Sequence, residues 1–215
     1  MQPFVVIGGG GHAAVVICLL RKLQYQLIGY TDLKNNGLIL GVPYLGPDDH
    51  LHAIAASTPN LRAAIGIGQI AEGKKRCSIV EGLSLSLAYF PPIVSPSAIV
   101  NESVTLGEGA VVMDGAIINP GASIGRGAII NTHSTVEHDA IVGDWAHIAP
   151  GATLCGNVHV GKFAMVGAGA TVIEGVSIGS SCMIAAGATV VHTISTAGVY
   201  AGTPARLLHA RAGVL

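Results

Sequence analysis

The chain has 215 residues, of which 50% are hydrophobic and 11% charged, with 30 glycines and a formal net charge of -1. Average chains carry about 25% charged residues and about 7% glycine, so the composition points to a packed architecture full of tight corners and excludes disorder, which needs an apolar-poor chain. The near-neutral balance offers no basic field to a nucleic acid, and cations cluster only at Lys74, Lys75 and Arg76.

The N-terminal MQPFVVIGGGGHAAVVICLLRKL has no positive start, is broken by four glycines, and never reaches about 18 uninterrupted apolar residues. It therefore reads as neither a signal peptide nor a membrane span, and a soluble cytoplasmic protein is expected. FVVI reads instead as a strand, the glycines as a turn and HAAVVICLLRKL as a helix. LIGYTD is a second strand ending at Asp32, and a short helix starts in PDDHLHAI. LRAAIGIGQIAEGKKRCSIVEGL gives a third strand, a turn at Gly66 and Gly68, and another helix.

Residues 1–88 thus form a β-α-β unit, with glycines where a strand meets a helix N-terminus and backbone N–H groups can cradle a phosphate. Gly8, Gly10 and Ala13 also satisfy G-x-G-x-x-A, with Asp32 downstream. Fewer than ninety residues hold only half of a dinucleotide fold, however. A nucleotide or nucleotide-sugar pyrophosphate is the expected ligand, with NAD or a purely structural turn as the alternatives.

From Leu106 to Val190 an aliphatic residue recurs at every sixth position, fifteen times in register. Four residues after it stands a small side chain, such as Ala110, Ala116, Ala140 or Ala152. Helices demand a period of 3.6 and simple strands a period of two. A strict six is the mark of a parallel β-helix in which each unit is a short strand plus a turn. Glycine one or three positions after the aliphatic residue serves the corners. Two earlier units begin at Ile93 and Ile99, one residue off the main register, which predicts a small insertion in the first coil.

In that frame His138 falls in a turn, and His147 precedes the inward Ile148, so alternation sends it outward. Neither is a core residue of the coil. His159 and His192 read as surface residues, and Trp145 lines a groove or rests against a partner subunit. Cys18, Cys77, Cys155 and Cys182 form no C-x-x-C or zinc-like cluster and read as free buried thiols.

The Gly10-Gly11-His12 turn, the Tyr-Thr-Asp strand end, the AIG turn at Gly66, the hexapeptide rod and the closing VYAGTPARLL together resemble the nucleotide-sugar acetyltransferases of the bacillosamine pathway. Sialic acid O-acetyltransferases belong to the same broad family. The resemblance implies an α/β, half-Rossmann-like nucleotide-sugar-binding domain over 1–88. It further implies a left-handed parallel β-helix of about five coils over 93–192 and a C-terminal capping segment over 193–215. It also implies side-by-side homotrimers with acetyl-CoA between neighbours.

Carried over residue by residue, the resemblance puts Gly10, Gly11, His12 and Gly66 on the nucleotide sugar. Thr31 and Asp32 lie on the uracil-ribose side, where the family has two acidic residues. His138 in the E-H-D segment is the implied general base and Asp139 its partner, where many relatives have Glu. Gly156 is the implied oxyanion donor, with His147, Ala168 and Ala186 on acetyl-CoA. A histidine suits the proton transfer, since its ordinary pKa of about 6.5 lies near neutrality.

The implied reaction is acetyl-CoA-dependent N-acetylation of a UDP-4-amino-4,6-dideoxy sugar. Sugar O-acetylation and a non-catalytic nucleotide-sugar scaffold are the alternatives. His133 and His138 also form H-x4-H, reminiscent of the zinc pair of γ-class carbonic anhydrases on the same rod. A catalytic zinc needs three protein ligands, and no histidine stands between His52 and His133, so no metal is expected.

Overall fold

The computed structural model describes residues 2–69, 73–83 and 90–210. The N-terminal part runs β1 (Pro3–Ile7), α1 (Gly11–Lys22), β2 (Gln26–Thr31), a 3-10 turn at Asp48–His50, α2 (Leu51–Ser57), β3 (Arg62–Ile65) and α3 (Gly73–Gly82). The strands make a parallel sheet in the order β2-β1-β3. Phe4 and Val6 of β1 pack with Ala13, Val16, Ile17 and Leu20 of α1, whereas Val5 and Ile7 pack with Leu51 of α2 and with Cys77 and Val80 of α3. A strand covered on both faces has no solvent side to mark with polar residues, which is why FVVI is an unbroken apolar run.

The remainder is a parallel β-solenoid of about six turns. Each two-residue strand pairs with the one eighteen residues on, as in Ile93↔Val111, Val111↔Ile129 and Ile129↔His147. Three flat faces result. The first carries Ile93–Val94 through Met183–Ile184, the second Ile99–Val100 through Thr189–Val190, and the third Thr105–Leu106 through Ser177–Ile178. The inward Val112, Ile118, Val136, Ile148 and Leu154 are fully buried along the axis beside Ala110, Ala116, Ala140 and Ala152. Burying one such aliphatic side chain contributes about 1.5–3 kcal/mol, so the stack holds together as a sum of neighbour contacts.

The start of the solenoid differs from the expectation. Val94 and Val100 are the inward residues packed on the core, six and twelve positions before Leu106, while Ile93 and Ile99 point outward. The register is unbroken and contains no insertion; the bulkier isoleucines simply hid the valines. This earlier start also lengthens the rod from about five coils to about six. At the far end Gly198–Ala201 adds to the first face, and Arg206–Ala210 pairs antiparallel with it.

The third residue after every inward aliphatic, from Ser103 to Gly187, has positive φ. Glycine takes that conformation without strain, and other residues pay roughly 1–2 kcal/mol. Yet His133, Asp139 and Trp145 fill it in three consecutive units.

The N-terminal part lies on the first face. Ile93, Val111 and Met113 join the α1 cluster, and Trp145 joins the α3 cluster with Phe163 beside it. Lys22 of α1 pairs with Asp114, and Arg126 pairs with Glu81 of α3 at 2.6 Å. The four cysteines form no disulfide with one another; Cys77 and Cys182 are buried, Cys155 is half-buried and Cys18 exposed, so the expected burial holds for the first two, only in part for Cys155 and not for Cys18. Among the described residues no helix is long and apolar enough to cross a membrane.

Candidate functional site

The candidate site residues fall into two separate constellations. The first is a cavity of about 620 Å³ between the glycine turn and the solenoid, lined by Gly8 to His12, Val15, Asp32, Gly66 to Gln69 and His147. Helix α1 begins here with Gly10 at its N-cap, no side-chain cap and no acidic residue in its first turn. Its first N–H groups are therefore unspent donors at the positive end of the helix dipole, a site suited to a phosphate. Added Cβ atoms at Gly10 or Gly11 would meet no protein atom within 4 Å and would instead occupy the cavity.

The turn is clamped from behind. Gly9 N–H donates to Asp32 Oδ2 at 2.6 Å, and Asn36 Nδ2 donates to Gly9 O at 3.0 Å. Asp32 Oδ1 also accepts Lys34 N–H at 3.0 Å. Asp32 thus lines the cavity while its carboxylate holds backbone. Thr31, expected beside it on the ligand, is fully buried, and its hydroxyl donates to Asp48 Oδ1 at 2.7 Å. Thr31 at the end of β2 and Asp32 just after it turn to opposite sides, so of the two only Asp32 faces the cavity. Gly66 lines the cavity and also packs tightly, since a Cβ there would lie 2.6 Å from Val6 and 2.9 Å from Ala13.

His147 does point out of the coil, but the N-terminal part covers it, leaving it 7% exposed. Its Nδ1 lies 3.2 Å from Gln69 O and its Nε2 3.0 Å from Asn131 Nδ2. The carbonyl requires Nδ1–H as donor, which leaves Nε2 to accept from the amide, so the ring is neutral with a fixed tautomer. Burial first, and then the nearby Arg76 cation, push its pKa down to about 4. The same two causes, in the same order, bring His12 to about 4. Both ring nitrogens of His147 are thus engaged within the chain, while the ring lines the cavity between the two parts of the molecule.

Arg76 and Trp145 were missed as an anchor. Arg76 is 2% exposed, with Nη2 donating to Trp145 O at 3.1 Å and its guanidinium 5.5 Å from the indole centroid. Desolvation lowers its pKa to about 9. Arg126 lies on the same ring at 5.7 Å, an arrangement suited to cation–π attraction. Trp145, 1% exposed, therefore faces neither a groove nor a partner subunit but its own N-terminal part. The available signal was the loss of glycine at the left-handed corner position.

The second constellation lies on the corner between the second and third faces. His138 Nδ1 is 3.0 Å from Asp139 Oδ2, and both side chains are more than half exposed. Asp139 holds φ +59 and leans over Gly121, whose missing Cβ would sit 2.5 Å from Asp139 Oδ1. One coil on, a Cβ at Gly156 would lie 2.6 Å from both Cε1 and Nε2 of His138. The imidazole edge bearing Nε2 thus rests on Gly156. The hydrogen bond that His138 donates to Asp139, with further help from the charges of Asp139, Glu137 and Glu174, holds the His138 pKa above its ordinary value. Gly156 O accepts from Gly175 N–H at 3.0 Å, and its own N–H has no acceptor among the described residues.

Ala168 and Ala186 stack one coil apart, both exposed, on the corner between the first and second faces, away from His138. His133 shares that corner, so it and His138 occupy different edges of the rod.

The family model described as PglD N-terminal domain matches residues 4–82, and that of the bacterial transferase hexapeptide (six repeats) matches residues 121–156. A histidine-to-asparagine variant of perosamine N-acetyltransferase from Caulobacter crescentus, solved with CoA and GDP-perosamine, is 35% identical over 97% of this chain and 98% of its own, with a TM-score of 0.90. The acetyltransferase domain of PglB from Neisseria gonorrhoeae FA1090 is 31% identical over 97% of this chain and 100% of its own, with a TM-score of 0.87. UDP-N-acetylbacillosamine N-acetyltransferase of Bacillus subtilis (strain 168) is 35% identical over 115 residues, 53% of this chain and 52% of that protein, so the match spans about half the length of that relative. With both parts of the fold matched end to end in these structures, the chain belongs to the hexapeptide-repeat nucleotide-sugar N-acetyltransferases that carry a PglD-type N-terminal domain.

Proposed function

We propose that the protein transfers the acetyl group of acetyl-CoA to the 4-amino group of a nucleoside-diphosphate-activated 4-amino-4,6-dideoxy sugar, with His138 as general base. The observation that carries this is the His138–Asp139 pair resting on Gly156. Asp139 takes the Nδ1–H of His138, which leaves the Nε2 lone pair on the edge over Gly156. The amine nitrogen attacks the thioester carbonyl, an N–C bond forms and the π electrons move to oxygen. His138 Nε2 removes the amine proton as the bond forms. Gly156 N–H donates to the oxyanion. The C–S bond then breaks, and the departing thiolate takes the proton from the imidazolium.

The phosphates of the sugar nucleotide lie in the cavity at the start of α1, between Gly10, Gly11 and His12. That cavity is over the first face, whereas His138 is on the edge opposite it, with the thickness of the rod between. One chain cannot bring both to one substrate. Two copies can, and the second face offers an uncharged contact of Ile117, Thr135, Thr153, Thr171 and Thr189. A homotrimer, with acetyl-CoA passing Ala168 and Ala186 in the groove between subunits, meets this need.

For the nucleoside, the name of the Bacillus relative supports a UDP sugar, whereas the Caulobacter enzyme binds GDP-perosamine. The test is release of CoA thiol from acetyl-CoA in the presence of a UDP- or GDP-linked 4-amino sugar, a sialic acid, or no acceptor. Release with either amino sugar is expected. Release only with the hydroxyl acceptor, or with none, overturns the proposal. His138→Ala should lower turnover by roughly 10²- to 10⁴-fold and leave the acetyl-CoA KM near its original value.

A further inference from the structure

Behind the glycine turn a second chamber of about 400 Å³ adjoins the first and shares Gly8, Asp32 and Ile67 with it. Its remaining walls are Leu33, Ile79, Lys75 and Asp48. Lys75 and Ile79 stand four residues apart on α3, hence on one side of that helix. Apolar Leu33, Ile67 and Ile79 suit the flat faces of an aromatic ring, and the two charged groups can read its edge. A sugar nucleotide whose phosphates sit at the start of α1 would send its base this way.

The edge-reading groups are unlike those expected from the sequence. Both oxygens of Asp32 already hold the backbone of Gly9 and Lys34. Thr31 is fully buried and contributes nothing to the chamber directly, but its hydroxyl fixes Asp48 Oδ1 at 2.7 Å. Asp48 lies seventeen residues along the chain and is brought to the strand end by the loop after β2. Its Oδ2 has no donor among the described residues, and Oδ1 keeps a second lone pair.

We propose that Asp48, positioned by Thr31, selects a guanine nucleotide over a uracil nucleotide; this rests on the nucleotide-sugar reading above. An ionised carboxylate only accepts, so it matches two adjacent donors. Guanine presents N1–H and the N2 amino group side by side, next to the O6 acceptor that Lys75 can bind. Uracil presents a single N3–H between two carbonyl oxygens, so one of its oxygens would face the carboxylate. A site built for two donors rejects the base that lacks one.

The test is calorimetric titration of the full chain with GDP and with UDP, and then the same titrations of Asp48→Asn and Thr31→Val. GDP should bind the original protein at least about tenfold more tightly. Asp48→Asn presents one donor and one acceptor, so it should weaken GDP by roughly 10- to 100-fold while leaving UDP unchanged or tighter. Thr31→Val keeps the carboxylate but frees it, and should weaken GDP by less. Equal binding of the two nucleotides, tighter binding of UDP, or equal weakening of both by Asp48→Asn would overturn the role of Asp48 and leave the nucleotide-sugar reading intact. Binding of neither nucleotide would overturn both.

Discussion

Gly156→Ala isolates the placement of His138 from the presence of its chemistry. Gly156 is not at a positive φ, so alanine brings no backbone strain there. Its methyl would, however, lie 2.6 Å from Cε1 and Nε2 of His138, where ordinary contact begins at 3.4 Å. The imidazole is exposed on its outer side and free to retreat by about 1 Å. A displacement of that size in a reacting group can lower the rate by about 10²-fold. Turnover measured by thiol release should therefore fall by about two orders of magnitude. Because the side chain rather than the coil yields, the loss of folding stability in urea should stay below about 0.5 kcal/mol, as for surface changes. Turnover within threefold of the original would mean that the ring does not act from its position over Gly156. A large stability loss would mean that the coil, not the ring, absorbs the methyl.

Two further outcomes follow from the histidines. Asp139→Asn removes the largest influence holding the His138 pKa up. The acid limb of the kcat/KM profile, along which the base is lost to protonation, should then shift to lower pH, and an unmoved limb would deny the pair its role. His12 and His147 have the opposite sign: each is lowered to about 4 from 6.5, so the folded state disfavours their protonation. Stability is full above pH 6.5 and falls as pH drops towards 4, by about 2 kcal/mol per histidine at pH 5. Scanning calorimetry should give a lower Tm at pH 5 than at pH 7.5, with a smaller difference in His147→Asn. A Tm flat across that range would refute the buried neutral state.

The period of six determined the solenoid without help, because each unit repeats the same inward aliphatic and small residue and so fixes which side chains fill the axis. The same rule placed His138 on a corner and turned His147 outward. It also contained more than was read from it. Val94 and Val100 continue the register, and His133, Asp139 and Trp145 replace glycine at the left-handed corner in three consecutive units. What the repeat cannot say is what covers each face, since a period describes a direction from the axis and not the neighbour waiting there. Only the tertiary fold laid α3 and Gln69 over the first face, which made His147 and Trp145 interior residues and Arg76 a buried cation. Likewise the TD strand end gave two adjacent side chains. The pleat sent them to opposite sides, and a loop seventeen residues long brought Asp48 to Thr31. Local pattern determined orientation along the chain. Long-range packing decided which of those orientations meet solvent, ligand or another part of the protein.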